Sequence, residues 1–171
     1  LGLIGDNIAR QVSRGQIDEA DRKAALARIS PAPVLTDIAK TDLVIEAATE
    51  KEDVKRAIFD ALVPHLKPET ILTTNTSSIS ITRLASGTDR PERFMGFHFM
   101  NPVPLMQLVE LIRGIATDEP TYDALKAVVD RLGKTSASAE DFPAFIVNRI
   151  FLETATAEID TQVFRARCSS P

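Results

Sequence analysis

Apolar residues recur along this chain in two periods, one near 3.6 and one near 2, and the places where the period changes mark its elements. Ile4, Ile8, Gln11 and Val12 keep a helical spacing that Gly15 ends, and Asp18 to Ile29 reads as a second helix. The two predict a hairpin rich in Arg and Lys. Pro33 to Leu35 leads through a turn of helix into Asp42–Glu46, whose apolar centre suits a buried strand. From Lys51 to Leu66, residues Val54, Ala57, Ile58, Ala61 and Leu62 define one helix face. The alternation continues with a β-branched strand at Thr70–Thr74, a short helix at Ser80–Ser86 and a strand at Phe94–Phe99 after Pro91. A tight turn at Pro102-Val-Pro104 separates that strand from a strand-like Met106–Ile112. A helix over Pro120–Leu132 follows, and a last one starts near Phe145.

Strands alternating with helices predict an α/β fold whose sheet is mostly parallel and flanked by helices. A doubly wound nucleotide-binding fold of this kind opens with a strand, a Gly-x-Gly-x-x-Gly turn and a helix. The 171 residues hold no such turn, because Gly2 and Gly5 have the wrong spacing and no strand before them. The expectation is a partial, Rossmann-like sheet cut at its amino end. Pro143 punctuates the chain before a fresh apolar helix, which places a boundary near residue 141. Residues 1–141 then form a partial nucleotide-binding domain, and residues 142–171 begin a second, helical domain.

Composition narrows the class. At 44% hydrophobic and 26% charged, the chain is globular in make-up. No apolar run approaches the roughly 20 residues that span a bilayer, and the first residues do not form a signal peptide, so a cytoplasmic protein with no membrane partner is expected. The one cysteine, Cys168, leaves no internal disulfide and no Cys-based metal cluster. A net charge of -4 gives no support to nucleic-acid binding.

Candidate chemistry gathers after the strands. Asn75-Thr76-Ser77-Ser78 follows an apolar strand, at the carboxyl end where open α/β sheets bind ligands. Its short hydroxyls and amide suit a cofactor or substrate oxygen, and they equally suit a turn that caps the next helix. His98 lies near the end of the next strand, placed either to take a proton from an alcohol or to sit as a satisfied core histidine. Glu110 shares a face with Leu108 and Ile112, so it points among apolar neighbours, where an unpaired carboxylate is costly. If the two strands pair as a hairpin centred on Pro104, residue 98 falls opposite residue 110. Such a carboxylate fixes the imidazole tautomer and steadies the charge the ring acquires. The competing reading is an exposed Glu on an edge strand. Asn148 is a site residue or a helix-packing amide. Glu50 and Lys55 lie where a cofactor ribose would approach, or are solvated charges at a helix start. His65 has no partner to recommend it and is assigned to the surface.

Taken together, Asn75-Thr-Ser-Ser, His98-Phe-Met-Asn-Pro-Val-Pro104, Leu108-Val-Glu-Leu-Ile-Arg-Gly114 and Phe145-Ile-Val-Asn-Arg149 resemble the 3-hydroxyacyl-CoA dehydrogenases, the bacterial 3-hydroxybutyryl-CoA members in particular. The resemblance runs from about residue 4 to residue 150. It implies NAD as cofactor and an acyl-CoA as substrate, with His98 as general base and Glu110 as its partner. Ser77 and Asn148 would orient the substrate oxygens, while Glu50, Lys55, Asn75, Asn101 and the shared Ser77 would lie on the cofactor side. Arg10 and Arg14 would face the CoA phosphates. The parent protein would be a homodimer through a helical carboxyl-terminal domain. Three departures stand out: the family's opening strand–turn–helix and second strand are absent, Ala144 stands where the family usually has Gly, and the resemblance stops after Ile150. These 171 residues acting alone are therefore expected to turn over negligibly. A non-catalytic relative and another NAD-dependent hydroxy-acid dehydrogenase are the competing classes.

Overall fold

The computed structural model describes residues 2–142 and 145–147. The chain divides into two units, Leu1–Ile38 and Ala39–Pro171. In the first, helices α1 (Gly2–Ser13) and α2 (Glu19–Ala27) form the expected hairpin. Gly15, at φ +68°, makes the left-handed turn that a side chain would resist. Asp18 caps α2 by accepting from the Asp21 amide at 2.7 Å, and the Asp21 side chain in turn accepts from the Asp18 amide. This reciprocal box starts the helix one residue later than the apolar spacing suggested.

The second unit is a five-stranded sheet ordered β1 (Leu43–Glu46), β2 (Ile71–Thr74), β3 (Phe94–Phe99), β4 (Leu108–Arg113), β5 (Thr135–Glu140). β1, β2 and β3 run parallel, β4 runs antiparallel to β3, and β5 is parallel to β4. Helices α3 (Glu52–Leu62), α4 (Ile81–Ala85) and α5 (Glu119–Arg131) connect them. The sheet is thus mostly parallel, as expected, and β5 is an addition that apolar periodicity did not show. Its sequence, Thr-Ser-Ala-Ser-Ala-Glu, holds no apolar residue larger than Ala, and Ala139 alone is buried. Backbone pairing with β4 defines this strand, not side-chain hydrophobicity.

Alternation along β3 and β4 separates two faces. Met95, Phe97, Val109 and Leu111 pack under Leu125 and Val129 of α5, all essentially inaccessible to water. Phe94, Gly96 and Ile112 lie on the other face. Phe59 of α3 meets Phe94 edge to face, with ring centroids 4.9 Å apart. A Cβ on Gly96 would lie 2.8 Å from Ile112 Cβ and 2.9 Å from Ile81 Cδ1, so the absent side chain is what lets α4 approach the sheet. His98 and Glu110 fall on this same face by the period of 2.

Helix α3 corrects the expected face. Its buried residues are Lys55 and Phe59, whereas Val54 is 39% exposed and Ala57 and Ala61 face water. The helix is turned so that a lysine, not an alanine row, meets the sheet. Among the described residues, no helix is long and apolar enough to cross a membrane.

Candidate active site

The turn after β3 fixes the register that matters most. His98 pairs directly with Glu110 across the antiparallel ladder. Their side chains meet on one face, with His98 Nδ1 2.7 Å from Glu110 Oε2. Glu110 is fully buried and His98 is 6% exposed. Since β5 covers the far side of β4, the edge-strand reading of Glu110 does not hold. A carboxylate can only accept, so Nδ1 carries a proton, and in the neutral ring Nε2 is the nitrogen left to accept one. That Nε2 lies 3.3 Å from Ser77 Oγ.

Glu110 Oε1 takes two further bonds, from the amides of Ile146 at 3.0 Å and Val147 at 2.8 Å. Phe145 turns the chain to present them: it adopts φ +49°, a conformation that aromatic residues rarely occupy. Its buried ring sits 6.3 Å from the imidazole. Burial pushes the Glu110 carboxyl up, but the His98 bond and the Val147 and Ile146 amides outweigh it and hold the group below the ordinary glutamate range.

Ser77 is positioned from several directions. Asn75, just after β2, accepts the Phe99 amide at 2.8 Å through its side chain and so ties the carboxyl ends of β2 and β3 together. Glu50 Oε1 accepts the Thr76 hydroxyl and the Ser77 amide, both at 2.7 Å, and the Ser78 amide at 3.1 Å. The cap of α4 is Ser80, not the Asn75–Ser78 segment. Asp141 reinforces that cap from the end of β5, accepting Ser80 Oγ at 2.7 Å and the Ile81 and Thr82 amides at 2.9 and 2.8 Å. Burial pushes Asp141 up, and these bonds bring it below the usual aspartate range.

Other expected site residues are placed differently. Lys55 is not a solvated helix-start charge: it is completely buried and ion-paired with Glu46. Glu46 Oε2 also accepts Thr74 Oγ1 at 2.7 Å, and Oε1 accepts the Ala48 amide at 2.7 Å. Burial raises the Glu46 carboxyl, and Lys55, Ala48 and Thr74 together lower it past its ordinary value. Asn101 is exposed, just after β3, and the Asn101–Pro102 peptide is cis. Its loop is held by Lys134, which donates to the carbonyls of Val103 and Met106 at 2.7 and 2.6 Å. Arg14 is exposed on the turn after α1, in the first unit. His65 is exposed, as assigned. Asn148 lies outside the described residues. The structure therefore brings Ser77, His98, Glu110, Asn75 and Glu50 together.

Sequence reasoning missed Glu46, Thr74, Asp141 and Lys134. Glu46 gave a partial signal, an acid closing an apolar strand, but its pairing with Lys55 is visible only in the fold. The partners of Asp141 and Lys134 are distant in the chain, and nothing local announced them.

The residues present fit the reacting end of a dinucleotide. Amide, hydroxyl and carboxylate groups from Asn75, Ser77 and Glu50 converge at the carboxyl ends of parallel strands beside the Nε2 of His98. A pyrophosphate-binding Gly-x-Gly-x-x-Gly turn is not among the 171 residues.

Comparison with known proteins shows the family. Residues 1–142 match the family model described as 3-hydroxyacyl-CoA dehydrogenase, NAD binding domain. The chain is 60% identical over 161 residues to a 3-hydroxybutyryl-CoA dehydrogenase of Bradyrhizobium diazoefficiens, an alignment covering 94% of this chain and 55% of that protein. It is 43% identical to a fatty acid oxidation complex subunit alpha of Psychrobacter cryohalolentis, covering 88% of this chain and 21% of that protein. The crystal structure of (S)-3-hydroxybutyryl-CoA dehydrogenase PaaH1 from Ralstonia eutropha superposes with a TM-score of 0.85 at 43% identity, covering 88% of this chain and 53% of that one. The chain thus spans about half the length of the 3-hydroxybutyryl-CoA dehydrogenases it matches. With a family match over residues 1–142, the chain belongs to the 3-hydroxyacyl-CoA dehydrogenase NAD-binding domain family.

Proposed function

We propose that the full-length protein carrying this chain oxidises the 3-hydroxyl of a 3-hydroxyacyl-CoA to the 3-ketoacyl-CoA, with NAD as cofactor. The observation that carries the reading is the continuous chain from Ser77 Oγ to His98 Nε2 and from His98 Nδ1 to Glu110. His98 Nε2 takes the hydroxyl proton, and Glu110 steadies the positive charge that the ring then bears. Ser77 donates to the substrate oxygen and keeps it within reach of Nε2, a role that Asn148 shares. Bound NAD supplies the acceptor for the C3 hydride. Glu50, Lys55, Asn75 and Asn101 belong to the cofactor side, with Lys55 acting from its buried pair with Glu46. Arg14 meets the CoA phosphates.

In this reading residues 1–141 make up the nucleotide-binding part, and a helical domain beyond that boundary completes the cleft; of residues 142–171, only 142 and 145–147 are among the described residues. The full-length protein is a cytoplasmic homodimer joined through that domain. The deciding assay is NADH formation from 3-hydroxybutyryl-CoA and NAD by the full-length protein. Turnover supports the reading, and its complete absence in folded protein overturns it.

A further inference from the structure

Glu50 stands in the turn between β1 and α3, exposed to solvent, yet among the described residues four hydrogen bonds converge on one of its oxygens. Oε1 accepts Thr76 Oγ1 at 2.7 Å, the Ser77 amide at 2.7 Å, the Ser78 amide at 3.1 Å and Ser78 Oγ at 3.2 Å. Three consecutive residues are thereby gathered on a single acceptor. The middle one is Ser77, whose hydroxyl lies 3.3 Å from His98 Nε2. The turn carrying Glu50 is itself anchored, because the Ala48 amide donates to Glu46, and Glu46 is buried on Lys55. Thr76 Oγ1 completes the loop by accepting the Ser78 and Ile79 amides at 3.3 and 3.0 Å.

We propose that Glu50 is a positioning residue for Ser77: it fixes the Thr76–Ser78 backbone so that the Ser77 hydroxyl stays aimed at His98. This role rests on the reading of Ser77 as the partner of the substrate oxygen, and it is separate from any contact Glu50 makes with cofactor. What it needs is an acceptor atom at one place, not a negative charge. A displacement of about 1 Å at a reacting group costs on the order of 10²-fold in rate, so an acceptor withdrawn by one methylene is the sensitive change.

The test compares Glu50→Gln with Glu50→Asp in the full-length protein. Glutamine keeps an acceptor oxygen at the same reach, with bonds weakened roughly twofold by loss of charge. Aspartate keeps the charge and loses the reach. Positioning predicts a kcat loss of about two- to threefold for Glu50→Gln and about 10- to 100-fold for Glu50→Asp. It also predicts that the Glu50→Asp loss disappears in a Ser77→Ala background. The reverse order of the two variants, a loss confined to the KM for NAD, or an undiminished loss without Ser77 overturns the proposal. A second measurement does not require activity. In the 171-residue chain, exchange of the Ser77 and Ser78 amide hydrogens should quicken in Glu50→Asp and stay near the parent rate in Glu50→Gln. Unchanged exchange in Glu50→Asp overturns the proposal even if the full-length protein proves not to be a dehydrogenase.

Discussion

Glu110 receives its bonds from an imidazole and two backbone amides, all favouring the ionised form. The consequence is a pH dependence with a definite sign. Its folded carboxyl gives up a proton more readily than the unfolded one, so acid protonates the unfolded chain first. The stability this contributes is fully present above the ordinary glutamate value of about 4.3 and is lost as the pH falls through the depressed folded value. Glu46 and Asp141 act in the same direction. Urea midpoints measured on either side of that window should therefore fall toward acid, and Glu110→Gln should fall less steeply than its parent. A parallel decline in both would remove Glu110 from this account. Lys55 gives a second prediction. Removing it as Lys55→Ala leaves Glu46 as an unpaired buried carboxylate, a cost of about 3–5 kcal/mol. The double change Lys55→Met with Glu46→Leu removes both charges and should recover most of that loss in thermal or urea unfolding. His98 and Glu110 were legible as a candidate pair because each is unusual where it stands. Lys55 was not, since its partner closes the preceding strand and only the fold shows that the two meet in the interior.

Among the elements, strands and helices with strong apolar periods stand where the sequence placed them, to within a residue or two at their ends except for α3, which stops at Leu62 rather than Leu66. The hairpin register was legible because the turn between Pro102 and Pro104 sets a centre, and the period of 2 then fixes which residues face each other. Two features were not legible. β5 has no large apolar residue, so only its ladder with β4 reveals it. The face of α3 was misassigned because apolar spacing ranks Ala57 and Ala61 above Lys55, and periodicity cannot see a buried counter-ion. The close approach of α4 to the sheet depends on Gly96. Gly96→Ala should lower stability by about 1–3 kcal/mol, read from the urea midpoint. An unchanged midpoint would mean that Ile81 and Ile112 move aside freely.

At the scale of the whole molecule, the proposed catalytic constellation and the grip on the cofactor separate. Ser77, His98 and Glu110 are held within one unit by bonds the chain makes for itself, while the 171 residues contain no pyrophosphate-binding glycine turn. Calorimetric titration of the isolated chain with NAD should show affinity weaker than about micromolar, with negligible NADH production, and micromolar binding would contradict this. In the full-length protein the central claim is that His98 moves the proton. Its most direct test is kcat for His98→Ala with 3-hydroxybutyryl-CoA and NAD, alongside a melting temperature showing that the variant is folded. A loss of about 10²- to 10⁴-fold is the result expected, and parental kcat in the folded variant would contradict it.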